Sequence, residues 1–216
     1  MAYRKRKMSA IQLVVEDLGA RYGARPVLRN ISFSLTAGEV LVISGSNGSG
    51  KSTLLRLLCG LQSPSAGSIS YRNGLNYYTP AEARHLFGWV APDLMLYREL
   101  SGRENLRFFA DLRRLQRDDA QLDDLLAEVG LAGRGDDRVA TYSSGMVQRL
   151  RYAYARLHAP PVLLLDEPTV TLDERGAAIV DQIIATQRQQ GIVIVATNDP
   201  RELRFADLLL ELSTQN

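Results

Sequence analysis

The chain is poor in the residues that build several common kinds of site. Its single cysteine, Cys59, excludes an internal disulfide and a cysteine-based metal centre. Cys59 falls on the apolar face of a predicted helix and reads as a small core residue. Two histidines, His85 and His158, sit in unrelated segments and read as structural or surface groups. No apolar run approaches the roughly 20 residues needed to cross a bilayer, and the basic start is not followed by an apolar signal segment. The chain is therefore expected in the cytoplasm, with any membrane crossing done by another polypeptide. Internal repeats, low-complexity tracts and linkers are also missing, which leaves one compact unit as the expectation.

What is present is ordinary globular composition: 45% hydrophobic and 23% charged residues in a chain of 216. That length suits one good core and a modest subdomain, not two independent domains. The formal net charge of +2 owes its sign to Arg4, Lys5, Arg6 and Lys7. Without them, 22 of the 26 basic residues face 24 acidic ones. A nearly neutral body argues against a broad nucleic-acid-binding face. Residues 1–10 read as a basic flexible arm, either frayed in solvent or touching anionic lipid or RNA.

Apolar patterning predicts strands at 11–17, 31–35, 40–43, 68–72, 86–90, 162–165, 192–196 and 207–212. Spacings of three and four predict helices at 104–115, 121–129, 145–157 and 176–190. Buried apolar runs alternating with helices mean a parallel sheet covered on both faces. The predicted fold is thus α/β: a parallel core sheet, a small antiparallel β subdomain and an inserted helical subdomain at about 93–159, all within one domain over 11–216.

The most informative stretch is Gly45, Ser46, Asn47, Gly48, Ser49, Gly50, Lys51, Ser52 and Thr53, between an apolar strand and a helix start. This is P-loop context. Small residues at 45–50 let backbone N–H groups curl around phosphate oxygens, and the helix N-terminus adds a favourable field. Lys51 would reach the terminal phosphates as a point charge. Ser52 would supply a hydroxyl ligand to Mg²⁺. Upstream, Tyr22 is read on a loop, where its ring either stacks on a purine or packs against the protein.

Asp166 and Glu167 follow the buried run 162–165, at the carboxyl end of a strand, where open α/β sheets bind ligands. Asp166 is the expected Mg²⁺ partner and Glu167 the group that orients and polarises the attacking water. Ser143, Ser144 and Gly145 form a hydroxyl-rich turn at a helix start, another place where an anion would be favoured.

In this order, with Pro168, Thr169, Leu172 and Asp173, the motifs resemble those of ATP-binding cassette ATPases over nearly the whole chain. The resemblance implies ATP and Mg²⁺ as cofactors. It implies a second such chain, identical or different, with two ATP molecules sandwiched so that Ser143, Ser144 and Gly145 meet the γ-phosphate bound opposite. It also implies a transmembrane permease partner, contacted by the helical insert near 97–105, and a place on the inner face of the membrane. By the same likeness Tyr22 stacks adenine, and residues 171–173 lie where the two sites touch. The P-loop string and the short body are similar to the haem-exporter ATPase subunit of cytochrome c maturation, which implies export of haem or another small molecule.

Two positions depart from the family. Pro92 and Asp93 stand where a glutamine senses Mg²⁺ and the partner; Asp93 is a candidate replacement metal ligand. Asn198 stands where the switch histidine would lie. It can donate an amide hydrogen bond to phosphate but cannot become a cation, so slower hydrolysis is expected. Two other readings remain: a soluble cassette ATPase regulating a non-membrane assembly, and a weakly hydrolysing half of a heterodimer.

Overall fold

The computed structural model describes residues 11–213. The predicted basic arm, residues 1–10, lies outside them. A five-stranded, wholly parallel sheet forms the centre, in the order β6-β7-β8-β3-β9: β3 is Val40–Gly45, β6 Phe87–Val90, β7 Val162–Asp166, β8 Ile192–Thr197 and β9 Leu208–Leu212. A second, antiparallel sheet has the order β2-β1-β4-β5, from β1 Ile11–Tyr22, β2 Arg25–Thr36, β4 Ala66–Asn73 and β5 Asn76–Tyr78. Among the described residues there are five α-helices: α1 Lys51–Leu58, α2 Gly102–Leu112, α3 Asp119–Glu128, α4 Ser144–Arg156 and α5 Glu174–Arg188.

The pleat of the central strands sorts the core into two layers. Successive side chains of a strand point to opposite faces. Accordingly Leu41, Ile43, Val162, Leu164, Ile192 and Ile194 pack with α1 and the antiparallel sheet. Their neighbours Val40, Val42, Leu163, Leu165, Val193 and Val195 pack with the helices α2 to α5. Both faces are covered, which is why these strands read as unbroken apolar runs.

Helix starts follow local chemistry. Ser101 and Glu104 form a capping box at α2, and Asp118 and Gln121 do the same at α3. The predicted helices lie within three residues of the observed ends.

Strands β1 and β2 differ most from expectation, both being about twice as long as the alternation suggested. Asp17 and Asn30 take left-handed backbone, with φ of 46° and 52°, and the register shifts between Val15 and Leu18. The bulge interrupts the period of two, so the pattern ends while the strand continues. Ser32 stabilises it, accepting from Asp17 N at 2.8 Å and donating to Asp17 Oδ1 at 3.1 Å. In consequence Tyr22 is not on a loop but at the end of β1, paired with Arg25.

The packing of β6 against α4 leaves no room for a side chain at Gly88, where an added Cβ would collide with the Ala155 carbonyl and lie 2.8 Å from Pro160 Cγ. Gly88→Ala is expected to destabilise the fold by about 1–3 kcal/mol through overpacking. A urea unfolding curve measures this, and an unchanged midpoint would contradict the tight contact.

Candidate functional site

The phosphate loop is shaped by glycine. Gly45 closes β3 in contact with the Leu212 carbonyl, where a Cβ could not fit. Gly48 and Gly50 take φ of 81° and 105°, the region that favours glycine. Gly50 caps α1 with no side-chain acceptor, so first-turn N–H groups are left for an anionic ligand. The Ser49 hydroxyl is buried and without a partner among the described residues. Gly48 and Gly50 border a cavity of about 800 Å³ that also takes in Tyr22, Arg25, Arg56, Pro92, Asp166 and Glu167.

Lys51 is buried and turned back along the loop, its Nζ donating to the Gly45 carbonyl at 2.8 Å and the Ser46 carbonyl at 3.3 Å. Its Nζ is also 3.5 Å from Glu167 Oε1. Asp166 is 5% exposed. Burial raises its carboxyl above the ordinary value, opposed by a hydrogen bond from Ser52. A buried carboxylate beside a hydroxyl is an oxygen donor pair that suits a hard cation such as Mg²⁺.

Glu167 sits in left-handed backbone at φ 49°, costly for a non-glycine residue and held by its N–H donating to the Ala196 carbonyl at 2.8 Å. Its Oε2 accepts from Asn198 N at 3.3 Å, and Asn198 Nδ2 donates to Asn47 Oδ1 at 3.2 Å. Asn198 thus touches both the phosphate loop and the acidic pair. At the far side, the Tyr22 hydroxyl donates to Gln62 Oε1 at 3.2 Å and is 3.4 Å from Thr53 Oγ1.

Asp93 does not join this group. Pro92 lines the cavity, whereas Asp93 is exposed and 3.9 Å from the Arg56 guanidinium, on the side of a neighbouring groove. The candidate metal-side oxygen at Asp93 is therefore not among the groups that line this cavity. Ser143, Ser144 and Gly145 are also away from the chain's own cavity. Ser143 caps α4, accepting from Met146 N at 3.2 Å, and a Cβ on Gly145 would lie 3.3 Å from the Thr171 carbonyl. His85 Nδ1 donates to the carbonyl of Glu82 in its own turn, and burial pushes His158 down to about 4; neither borders the cavity.

Sequence reading missed Arg25 and Arg56. The signals were available: Arg56 is four residues after Ser52 on the same helical face, and Arg25 is the hairpin partner of Tyr22.

A glycine-shaped phosphate loop at the end of a central parallel strand, with an acidic pair at the end of another, defines a P-loop nucleoside-triphosphatase fold. The chain belongs to the ABC transporter family, whose profile matches residues 28–170. It is 35% identical over 198 residues to the cytochrome c biogenesis ATP-binding export protein CcmA of Vibrio cholerae, covering 90% of this chain and 93% of the relative. It is 38% identical over 194 residues to the uncharacterized ABC transporter ATP-binding protein YdbJ of Bacillus subtilis, spanning 88% of this chain but only 62% of that relative. A solved structure of an ATP-binding subunit of an ABC transporter superposes with a TM-score of 0.80 at 28% identity, over 94% of this chain and 88% of that one. Family membership implies binding and hydrolysis of ATP.

Gly50→Ala forces a Cβ to 2.9 Å from Val27 Cγ1 and keeps an unfavourable φ. The expected loss is about 1–3 kcal/mol from the strained loop, read as an ATP affinity reduced by at least about fivefold in calorimetry. Full affinity would show that the loop tolerates a side chain there.

Proposed function

We propose that the chain is the ATP-hydrolysing subunit of a membrane transporter, pairing with a second cassette chain around two ATP molecules. The observation that carries this reading is the meeting of Lys51, Glu167 and Asn198 at one edge of the phosphate-loop cavity. Backbone N–H groups of residues 45–50 and the Ser49 hydroxyl bind phosphate oxygens, Ser46 and Thr53 complete the loop, and Lys51 turns from the loop carbonyls toward the β- and γ-phosphates. Glu167 orients and polarises the attacking water. Ser52 and Asp166 would hold Mg²⁺, which supplies charge neutralisation at the phosphates when bound. Tyr22 stacks the base in this reading. Ser143, Ser144 and Gly145 serve the nucleotide of the opposite chain, which accounts for their exposure and their distance from the cavity of their own.

Residues 11–216 act as one ATPase domain in this reading, with the helical part near 93–159 making the contact to a permease. A groove of about 440 Å³, walled by Leu61, Trp89, Met95 and Tyr154, supports that contact, as do the exposed rings of Tyr97 and Phe108 beside it. No helix among the described residues is long and apolar enough to cross a membrane. In this reading the chain attaches to the inner face through the permease. The likeness to CcmA favours export, of haem or another small molecule.

Pull-down of tagged Glu167→Gln chain with ATP from a detergent extract of native membranes is expected to recover a stoichiometric multi-helix membrane protein. Recovery of soluble partners alone, with ATP binding confirmed, would replace transport by the regulation of a soluble assembly.

Asn198 and Pro92 favour slow hydrolysis, as in the weaker half of a heterodimer. Asn198 contributes one amide donor where a histidine contributes a proton-dependent charge. Asn198→His is expected to raise phosphate release severalfold in the purified chain. An unchanged rate would remove Asn198 as the limiting residue.

A further inference from the structure

Among the described residues only two acidic side chains are buried, Asp166 and Glu202. Asp166 belongs to the site already described; Glu202 does not. It sits in the short helical turn Pro200–Phe205 that follows β8, 2% exposed. Removing a carboxylate from water is expensive unless it is paired or hydrogen-bonded. No cation among the described residues pairs with it. Its Oε1 accepts a short hydrogen bond, 2.6 Å, from the Thr169 hydroxyl. Its Oε2 makes no bond of good geometry among the described residues, although the Thr197 hydroxyl stands near enough to favour the anion. Burial raises the carboxyl above its ordinary value, with Thr169 and Thr197 opposing.

The location explains what such a group can do. Thr169 is two residues after Glu167, in a loop held by Val170 N donating to the Glu167 carbonyl at 3.3 Å and Leu172 N donating to the Thr169 carbonyl at 3.0 Å. Tyr152 of α4 holds the same loop from the other side, donating to the Pro168 carbonyl at 2.9 Å. Glu202 is four residues after Asn198, in a turn built by Asp199 N donating to Thr197 Oγ1 and Glu202 N donating to the Asp199 carbonyl. The Thr169–Glu202 bond therefore ties together the two loops that meet again, on the cavity side, where Asn198 N reaches Glu167 Oε2.

We propose that Glu202 is a positioning residue for ATP hydrolysis: through Thr169 it fixes the loop bearing Glu167 against the turn bearing Asn198. Its contact is with a loop, not with nucleotide, so it acts on turnover and leaves binding alone. The inference rests on Glu167 being the group that orients water.

The test uses the full chain with Glu202→Ala, Thr169→Val, the double variant and Glu202→Gln, comparing amide hydrogen exchange over residues 167–172 with the kcat and KM of ATP hydrolysis. The two single variants are expected to speed exchange at Val170 and Leu172 by at least tenfold and to lower kcat about tenfold, with KM within twofold. The double variant is expected to be no worse than the worse single one. Glu202→Gln keeps an acceptor oxygen for Thr169 and is expected to bring exchange and kcat back to within threefold of the original chain. Unchanged exchange in Glu202→Ala, additive losses in the double variant, or a folded Glu202→Gln as impaired as Glu202→Ala would each overturn the proposal. If Glu202→Ala fails to fold, Thr169→Val decides, since it removes only the donor. Absence of Glu167-dependent turnover in the original chain would defeat the hydrolysis reading, and the exchange comparison would still decide whether the tie exists.

Discussion

The site depends on the register of three parallel strands. β3 pairs with β8 so that Ser44 lies opposite Thr197, and β7 pairs with β8 so that Asp166 lies opposite Ala196. One residue beyond these pairs come Gly45, Asn198 and Glu167. Because parallel strands run out of the sheet on the same side, the phosphate loop, the amide and the carboxylate leave together with no loop of any length to position them. A slip of one residue would turn the side chains of a strand to the opposite face. The unbroken burial of β7 and β8 opposes such a slip, since each face already packs its own layer.

Around that frame, charge is arranged so that little of it is isolated. Lys51 is buried, yet it faces two carbonyls and the edge of Glu167. Asp166 has Ser52 beside it, and Glu202 has Thr169. Lys51 and Ser52 tie α1 to the ends of β3 and β7, and Glu202 ties the turn after β8 to the loop after β7. Elsewhere the ion pairs are at the surface, such as Arg204 with Asp181 and Arg188 with Asp207, where solvent screening leaves them worth little individually.

Much of this arrangement was legible in the chain itself. Gly45 to Thr53 carry their meaning locally, because a phosphate loop needs small residues, then lysine, then a hydroxyl, and each requirement acts through neighbouring backbone. Asp166 and Glu167 were readable for a related reason: an apolar run ending in acids marks the end of a buried strand. The failures share a cause. Asp17 and Asn30 broke the strand alternation, so β1 was cut short and Tyr22 was set on a loop. The position of the Asp93 carboxylate beside Arg56, thirty-seven positions earlier, had no local signal either.

By itself, then, the sequence determined the fold class, the helix starts and the identity of the phosphate-loop and acidic residues, since those follow from periodicity, caps and short-range chemistry. Only the tertiary structure decided which of the remaining groups meet. Arg25 and Arg56 at the cavity, Asn198 against Asn47 and Glu167, and Glu202 beneath Thr169 are products of strand order and of the bulge in β1. Contacts between positions 31 to 151 residues apart leave no mark in local pattern, because the energy that selects them is spent on burying both faces of the sheet.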